Sequence, residues 1–178
     1  DPIVIGSSIV TTLQTIVSRE TDILRNPAVL TVGVFKGGQR NNIVPDEAEL
    51  IGTLRTYSEE HRSRVRRRVG EIAENVAKGM QGSAEVMWNP TAYPATINNP
   101  ALVERMAPSL ARACSGGRRV RSDFPVSPSE DFSYFANAVP GLFFFVGIDA
   151  PGTTDAAPNH SPRFRVDEAG LIHGLRSM

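Results

Sequence analysis

The sequence predicts a mixed α/β chain in two parts, the first of them α+β, and three observations carry that prediction. Apolar residues recur at helical spacing across two long runs, near residues 3–20 and 59–78. Shorter runs rich in β-branched and aromatic residues, closed by Gly or Pro, read as strands. A cluster of Pro and Asn between residues 89 and 100 then divides the chain, giving a part of residues 1–90 and a part of residues 91–178.

Asp1 suits a helix cap and Pro2 the first helical position, where a missing N–H costs nothing. Ile5, Ile9, Leu13 and Ile16 follow at spacings of 4, 4 and 3, one stripe of a helix over residues 3–20. From Ala28 to Phe35 the composition turns to Val29, Thr31, Val32, Val34 and Phe35, a strand closed by Gly37-Gly38. Pro45-Asp46 opens a second strand, in which Ala48, Leu50, Gly52 and Leu54 alternate with Glu49, Ile51, Thr53 and Arg55. That pattern fits an antiparallel sheet covered on one side.

Ser58 is an N-cap, with Glu59 and Glu60 placed to complement the helix dipole. Val65, Val69, Ile72 and Val76 form the stripe of this second helix, and Lys78-Gly79 supplies its stop. Ala84 to Trp88 reads as a short strand. Helix, strand, strand, helix, strand is the ferredoxin-like plan without its first strand.

Past the Pro/Asn cluster, Asn99 caps a helix that Pro100 begins; Leu102, Met106, Leu110 and Ala113 form its stripe, and Pro108 predicts a kink. Val120 centres a brief strand. Ser129-Glu130-Asp131 starts a short helix that stops before Pro140, and Leu142 to Val146 reads as a buried strand with both faces covered. A polar loop from Asp149 to Pro158 leads to Asn159-His160-Ser161-Pro162-Arg163-Phe164, and Asp167 caps a last helix.

The composition narrows the function classes. The chain has 178 residues, 40% hydrophobic and 21% charged, with 15 Gly and 13 Pro, which excludes a coiled-coil, collagenous or wholly disordered protein. Nineteen Lys and Arg balance nineteen Asp and Glu, so no global field recruits nucleic acid or a membrane surface. The single Cys114 makes neither an internal disulfide nor a thiolate metal site, and near a helix end it reads as core filler rather than a nucleophile. No run approaches the length of a membrane span, and no basic segment precedes an apolar one at the start. These features predict a reducing, cytoplasmic setting. The chain opens at Asp-Pro without a methionine, as an excised piece or a processed chain does.

Three residues stand out as carriers of chemistry. His160 lies in a loop crowded with Pro, Asn and Ser after an apolar run, and reads either as a ligand or as a plain surface residue. Asn42 and Arg55, on either side of the Pro45 turn, offer an amide and a guanidinium fork that together suit a substrate carboxylate. Their alternative is a turn asparagine and a sheet-edge arginine paired with Glu49 or Asp46. Glu130 and Asp131 read as helix N-terminal acids or as carboxylates near a metal. The run Arg62, Arg64, Arg66, Arg67 and Arg68 lacks interleaved aromatics and reads as a solvated helix face. His61 and His173 read as solvated bystanders. No GxGxxG, P-loop, GxSxG or HExxH motif occurs.

Several segments together resemble a known family. They are Ile16-Val17-Ser18-Arg19, Leu30-Thr31-Val32-Gly33, Gly37-Gly38, Asn42-Ile43-Val44-Pro45-Asp46, Gly52-Thr53-Leu54-Arg55-Thr56, Ser129-Glu130-Asp131-Phe132-Ser133-Tyr134-Phe135 and His160-Ser161-Pro162-Arg163-Phe164. In this order they are similar to the metal-dependent amidohydrolases that include aminoacylase, hippurate hydrolase and the indole-acetyl-amino-acid hydrolases. The resemblance covers nearly the whole chain. It implies a lid over residues 1–90 that pairs two subunits, and the closing part of a metallopeptidase-like α/β catalytic domain over residues 91–178. It also implies hydrolysis of N-acyl amino acids with two divalent ions, zinc, manganese, cobalt or nickel, in the intact enzyme. His160 then corresponds to the last metal ligand, and Asn42 and Arg55 to lid residues that hold the substrate. The remaining ligands and the general-base glutamate belong to a stretch with no counterpart here, so the resemblance implies an inactive, metal-free piece. The family usually has glycine where this chain has Pro128, and proline removes an N–H that could bind substrate.

Overall fold

The first helix, α1 (Pro2–Arg19), starts as its sequence dictates. The Asp1 side chain accepts a hydrogen bond from the Ile3 amide at 2.9 Å, and Pro2 fills the first turn. Its stripe of Ile5, Ile9, Leu13 and Ile16 is buried, and its other face carries Ser and Thr hydroxyls that donate back to carbonyls four residues earlier, as Ser7 does to Ile3.

The computed structural model describes residues 1–114, 120–121 and 130–178. They form two compact units, one of Asp1–Ala95 and one of the described residues from Thr96 to Met178. In the first, β1 (Ala28–Gly37) and β2 (Ala48–Thr56) pair antiparallel, from Ala28 opposite Thr56 to Gly37 opposite Ala48. The register slips between Val32 and Val34, so Gly33 sits at a bulge. Gly38 turns the chain at φ +76°, a conformation glycine adopts without steric cost. Gly52 is required for a different reason: a Cβ there would strike the Thr31 carbonyl oxygen on the neighbouring strand.

Helix α2 (Glu59–Gly79) is capped by Ser58, whose hydroxyl accepts from the His61 amide at 3.2 Å. Val65, Val69, Ile72, Ala73 and Ala77 meet the α1 stripe in one core, with Leu30, Val32, Leu50 and Leu54 of the sheet packed against it. Ile16 and Val65 are almost wholly enclosed, each contributing about 1.5–3 kcal/mol of burial. The helix ends at Gly79, at its expected stop, and the left-handed residue beyond that end is Gln81, at φ +59°. Gly82 donates back to the Ala77 carbonyl at 2.9 Å, which secures the end that a C-terminal glycine was expected to make.

The strand predicted over Ala84–Trp88 does not form as a ladder. Its period survives, since Ala84, Val86 and Trp88 pack on the core while Glu85 and Met87 face outward, but it has no strand partner among the described residues. The observed sheet has two strands.

In the second unit, α3 (Pro100–Ala113) is capped by Asn99, which accepts from the Leu102 amide at 2.9 Å, and it continues through Pro108. Cys114 follows it, half-buried, its amide bonded to the Leu110 carbonyl. Helix α4 (Phe132–Ala138) ends before Pro140 as expected. The buried strand predicted over Leu142–Val146 is absent. Instead of a neighbouring strand, the side chain of Asn98 takes both backbone groups of Phe143, donating to its carbonyl at 2.8 Å and accepting from its amide at 2.7 Å. Phe145 is 58% exposed, so both faces are not covered. Asp167 caps a short 3₁₀ turn (Glu168–Gly170) that leads into α5 (Leu171–Ser177). Neither Val120 nor Arg121 is in a strand, and residues 115–119 and 122–129, Pro128 and Ser129 among them, lie outside the described residues.

Candidate functional site

His160 sits at the third position of a turn closed by the Ser161 amide on the Pro158 carbonyl at 3.1 Å. Its backbone is left-handed, φ +70°, a region that glycine favours and in which histidine is among the less rare exceptions. The side chain is exposed. Ser161 fixes the following residues, its hydroxyl accepting from the Arg163 amide at 3.2 Å and its carbonyl from the Phe164 amide at 3.0 Å. The imidazole is thus presented outward on a turn tied at both sides.

Asn42 lies in the loop between β1 and β2, exposed, and Arg55 lies near the other end of β2, in register with Val29. Seven strand steps separate Ala48, where the loop ends, from Arg55, roughly 24 Å of antiparallel strand. The fold therefore does not bring amide and guanidinium side by side along the strand. A joint grip on one carboxylate requires the loop to fold back over the sheet or two copies of the hairpin to share a ligand. Of the acids weighed as partners for Arg55, Glu49 is paired with Lys36 at 3.4 Å.

Metal ligation asks for three or more donors converging on one point. Among the described residues no three of His, Cys, Asp and Glu are so grouped. Glu130 is half-buried, Asp131 is exposed, and neither joins His160 in such a group. The donors present fit one corner of a metal centre and do not make one.

The arginine run has a structural occupation. Arg62 donates to Glu59 at 3.3 Å and to the Tyr93 carbonyl at 3.2 Å, Arg64 to the Glu20 carbonyl at 2.9 Å, and Arg67 pairs with Glu71 at 3.6 Å. Arg66 lies 4.8 Å over the Trp88 ring. Arg68 grips both carboxylate oxygens of Glu20, at 2.7 and 2.9 Å, and also bonds Glu71. That grip holds the Glu20 carboxyl below its ordinary range, against a smaller opposing effect of burial, and raises Arg68. Arg62, Arg64, Arg66 and Arg68 thus brace α2 against its surroundings, while Arg67 pairs within the helix and stays exposed, as a solvated face does.

Two histidines expected to be solvated are not. His61 is 8% exposed, its Nε2 is buried without a hydrogen-bond partner, and burial, then the nearby Arg64 charge, pushes it below its ordinary pKa. The signal was available: His61 stands four residues before Val65 and so extends the apolar stripe of α2. His173 is half-buried with Nδ1 3.1 Å from the Ala113 carbonyl, while Leu171, Ile172 and Leu175 of the same helix are exposed. Sequence periodicity finds an apolar stripe but not whether anything covers it, and here α5 turns its histidine inward.

The model of peptidase family M20/M25/M40 matches residues 3–177, and the chain belongs to that family. It is 37% identical over 177 residues to the IAA-amino acid hydrolase ILR1-like 2 of Arabidopsis thaliana, covering 98% of this chain and 39% of that one. It is 34% identical over 172 residues to the N-acetyl-L-cysteine deacetylase of Bacillus subtilis, covering 97% and 39%. The crystal structure of the Bacillus subtilis YXEP protein, a dinuclear metal-binding peptidase of the M20 family, superposes with a TM-score of 0.76 at 27% identity, over 99% of this chain and 43% of that one. The chain thus spans about two fifths of the length of the proteins it matches. No described helix is long and apolar enough to cross a membrane.

Proposed function

We propose that this chain is the C-terminal part of a metal-dependent hydrolase that cleaves the amide bond of N-acyl amino acids. The observation that carries the reading is a family match running from residue 3 to residue 177, shared with relatives named as an amino-acid conjugate hydrolase and an N-acetyl amino acid deacetylase. On this reading His160 is one ligand of a pair of divalent ions, zinc, manganese, cobalt or nickel, whose other ligands lie outside the described residues. When bound, such ions activate water for attack on an amide carbonyl. The exposed, turn-fixed imidazole supports the role, because a ring offered outward is open to a ligand.

Asn42 and Arg55 serve the substrate, Arg55 by bidentate attraction to a carboxylate and Asn42 by an amide hydrogen bond. Residues 1–90 act as a lid on the ferredoxin-like plan lacking its first strand, through which two subunits form a homodimer, and residues 91–178 close the catalytic domain. The setting is cytoplasmic, with neither nucleic acid nor membrane as partner; the internal engagement of the arginine run supports that exclusion. A second reading, a dimerisation module without activity, draws support from the incomplete donor set among the described residues.

The test is a fusion. The 178 residues joined behind the preceding segment of the Bacillus subtilis deacetylase should hydrolyse N-acetyl amino acids only with a divalent ion present. The 178 residues alone, given zinc, manganese or cobalt, should not. Turnover by the chain alone, or a folded fusion indifferent to chelator, contradicts the proposal.

A further inference from the structure

His160 stands next to the junction of two tight turns, and one residue belongs to both. In the first turn the Ser161 amide closes on the Pro158 carbonyl at 3.1 Å. In the second the Ser161 carbonyl accepts from the Phe164 amide at 3.0 Å, and Pro162 takes the second position, where its fixed φ suits a turn. The Ser161 hydroxyl accepts from the Arg163 amide at 3.2 Å, inside that second turn. Ser161 thus commits its amide, its carbonyl and its side chain to the two turns. It is half-buried, whereas His160 and Arg163 on either side are exposed.

The base of the loop that carries these turns is held separately. The Asp167 amide bonds the Ile148 carbonyl at 2.8 Å, and the Asp167 side chain caps the 3₁₀ turn that follows. Gly170 packs on the same point, where an added Cβ would come within 3.4 Å of the Gly147 carbonyl oxygen. Loosening at Ser161 therefore leaves the base closed.

His160 needs support from its neighbour for two reasons. Its backbone lies at φ +70°, a conformation that a side chain disfavours and that persists only where the surroundings hold it. Its ring also lacks an anchor of its own: among the described residues no group hydrogen-bonds the imidazole. A metal-ligating histidine is ordinarily aimed by a hydrogen bond to its second ring nitrogen. Here the backbone beneath the ring has that task.

We infer that Ser161 is a positioning residue for His160, its hydroxyl locking the second turn and through it the left-handed first turn, so that the imidazole is aimed before an ion arrives. The consequence for metal rests on the ligand reading given above; the geometry rests on the hydrogen bonds alone. An ion that meets a ring already aimed leaves less freedom to be lost on binding. The hydroxyl should therefore show in metal retention and not in the chemical step.

Ser161→Ala deletes the hydroxyl and spares both backbone bonds, while Ser161→Thr keeps it. The first readout needs no metal. Nitrogen relaxation of the 178-residue chain should give His160 and Arg163 amides near the rigid value of about 0.85, falling toward about 0.6 in Ser161→Ala and restored in Ser161→Thr. The Asp167 amide should not change. In the fused protein, Ser161→Ala should weaken retention of one ion against a chelator about tenfold, with kcat at saturating metal unchanged and Ser161→Thr like the parent. Unchanged order parameters, or a loss that Ser161→Thr fails to restore, overturns the inference. So does unchanged ion retention in a protein whose His160→Gly variant loses an ion. Retention of both ions by His160→Gly is instead the failure of the ligand reading, and the order parameters then decide the positioning alone.

Discussion

The two units use their apolar residues differently. In the unit of Asp1–Ala95, α1 and α2 press two helical stripes together over the hairpin, and all but one of the chain's buried apolar residues among those described belong to it. In the other, only Ala113 reaches that degree of burial, while Phe135, Val139, Phe145, Leu171 and Leu175 are each more than half exposed. Both units carry apolar periodicity of similar quality. The difference teaches that periodicity announces a face in want of a partner, and that a core forms only where two such faces meet. Among the described residues, such a core forms only in the first unit.

Mutations that cut through one unit and spare the other sharpen the contrast. Ile16→Ala or Val65→Ala opens a void in a filled core and should cost about 2–5 kcal/mol in urea unfolding followed by helix signal. Gly52→Ala forces a methyl against the Thr31 carbonyl and should cost about 1–3 kcal/mol in the same assay. The buried, unpartnered His61 gives a pH signature. A base whose pKa falls on folding holds fewer protons folded than unfolded, so stability declines as pH drops below the unfolded histidine value of 6.5. His61→Leu should remove that decline and gain about 1 kcal/mol near pH 5, since the orphaned Nε2 goes with it. Glu20, held ionised by Arg68, acts lower on the scale. Its contribution is present above 4.5 and lost as pH falls through its depressed value, so Glu20→Gln should flatten the acid limb and leave the histidine region alone. In the second unit, Leu175→Ser should change stability by no more than about 0.5 kcal/mol, because the side chain is already 72% exposed. A loss there comparable to Ile16→Ala would erase the distinction between the units.

Much of the first unit was legible in the sequence. Asp1 and Ser58 cap the helices they were expected to cap, as Asn99 does in the second unit, and the two stripes meet as their spacing requires. Capping and periodicity are local, so a single chain displays them. Ladder formation is not local. Ala84–Trp88 keeps its alternation and Leu142–Val146 its apolar run, yet neither pairs, because a strand needs a neighbour that its own residues do not encode. For the same reason Asn98 could not be foreseen as the partner of Phe143. The site was legible as single residues and not as geometry: the left-handed turn under His160 and the strand length between the hairpin loop and Arg55 both come from the fold. The arginine run shows the limit of reading charge by composition, since its partners come from the end of α1, from Trp88 and from Tyr93.

The proposed role of His160 as a metal ligand of a longer enzyme is tested most directly by the metal stoichiometry of the fused protein. Glycine is the right replacement, because it keeps the left-handed turn and removes only the imidazole. Two ions per fused chain in the parent, falling by one or more in His160→Gly with helix content unchanged and turnover lost, is the result expected. Full occupancy and full turnover without the imidazole would remove His160 from the centre.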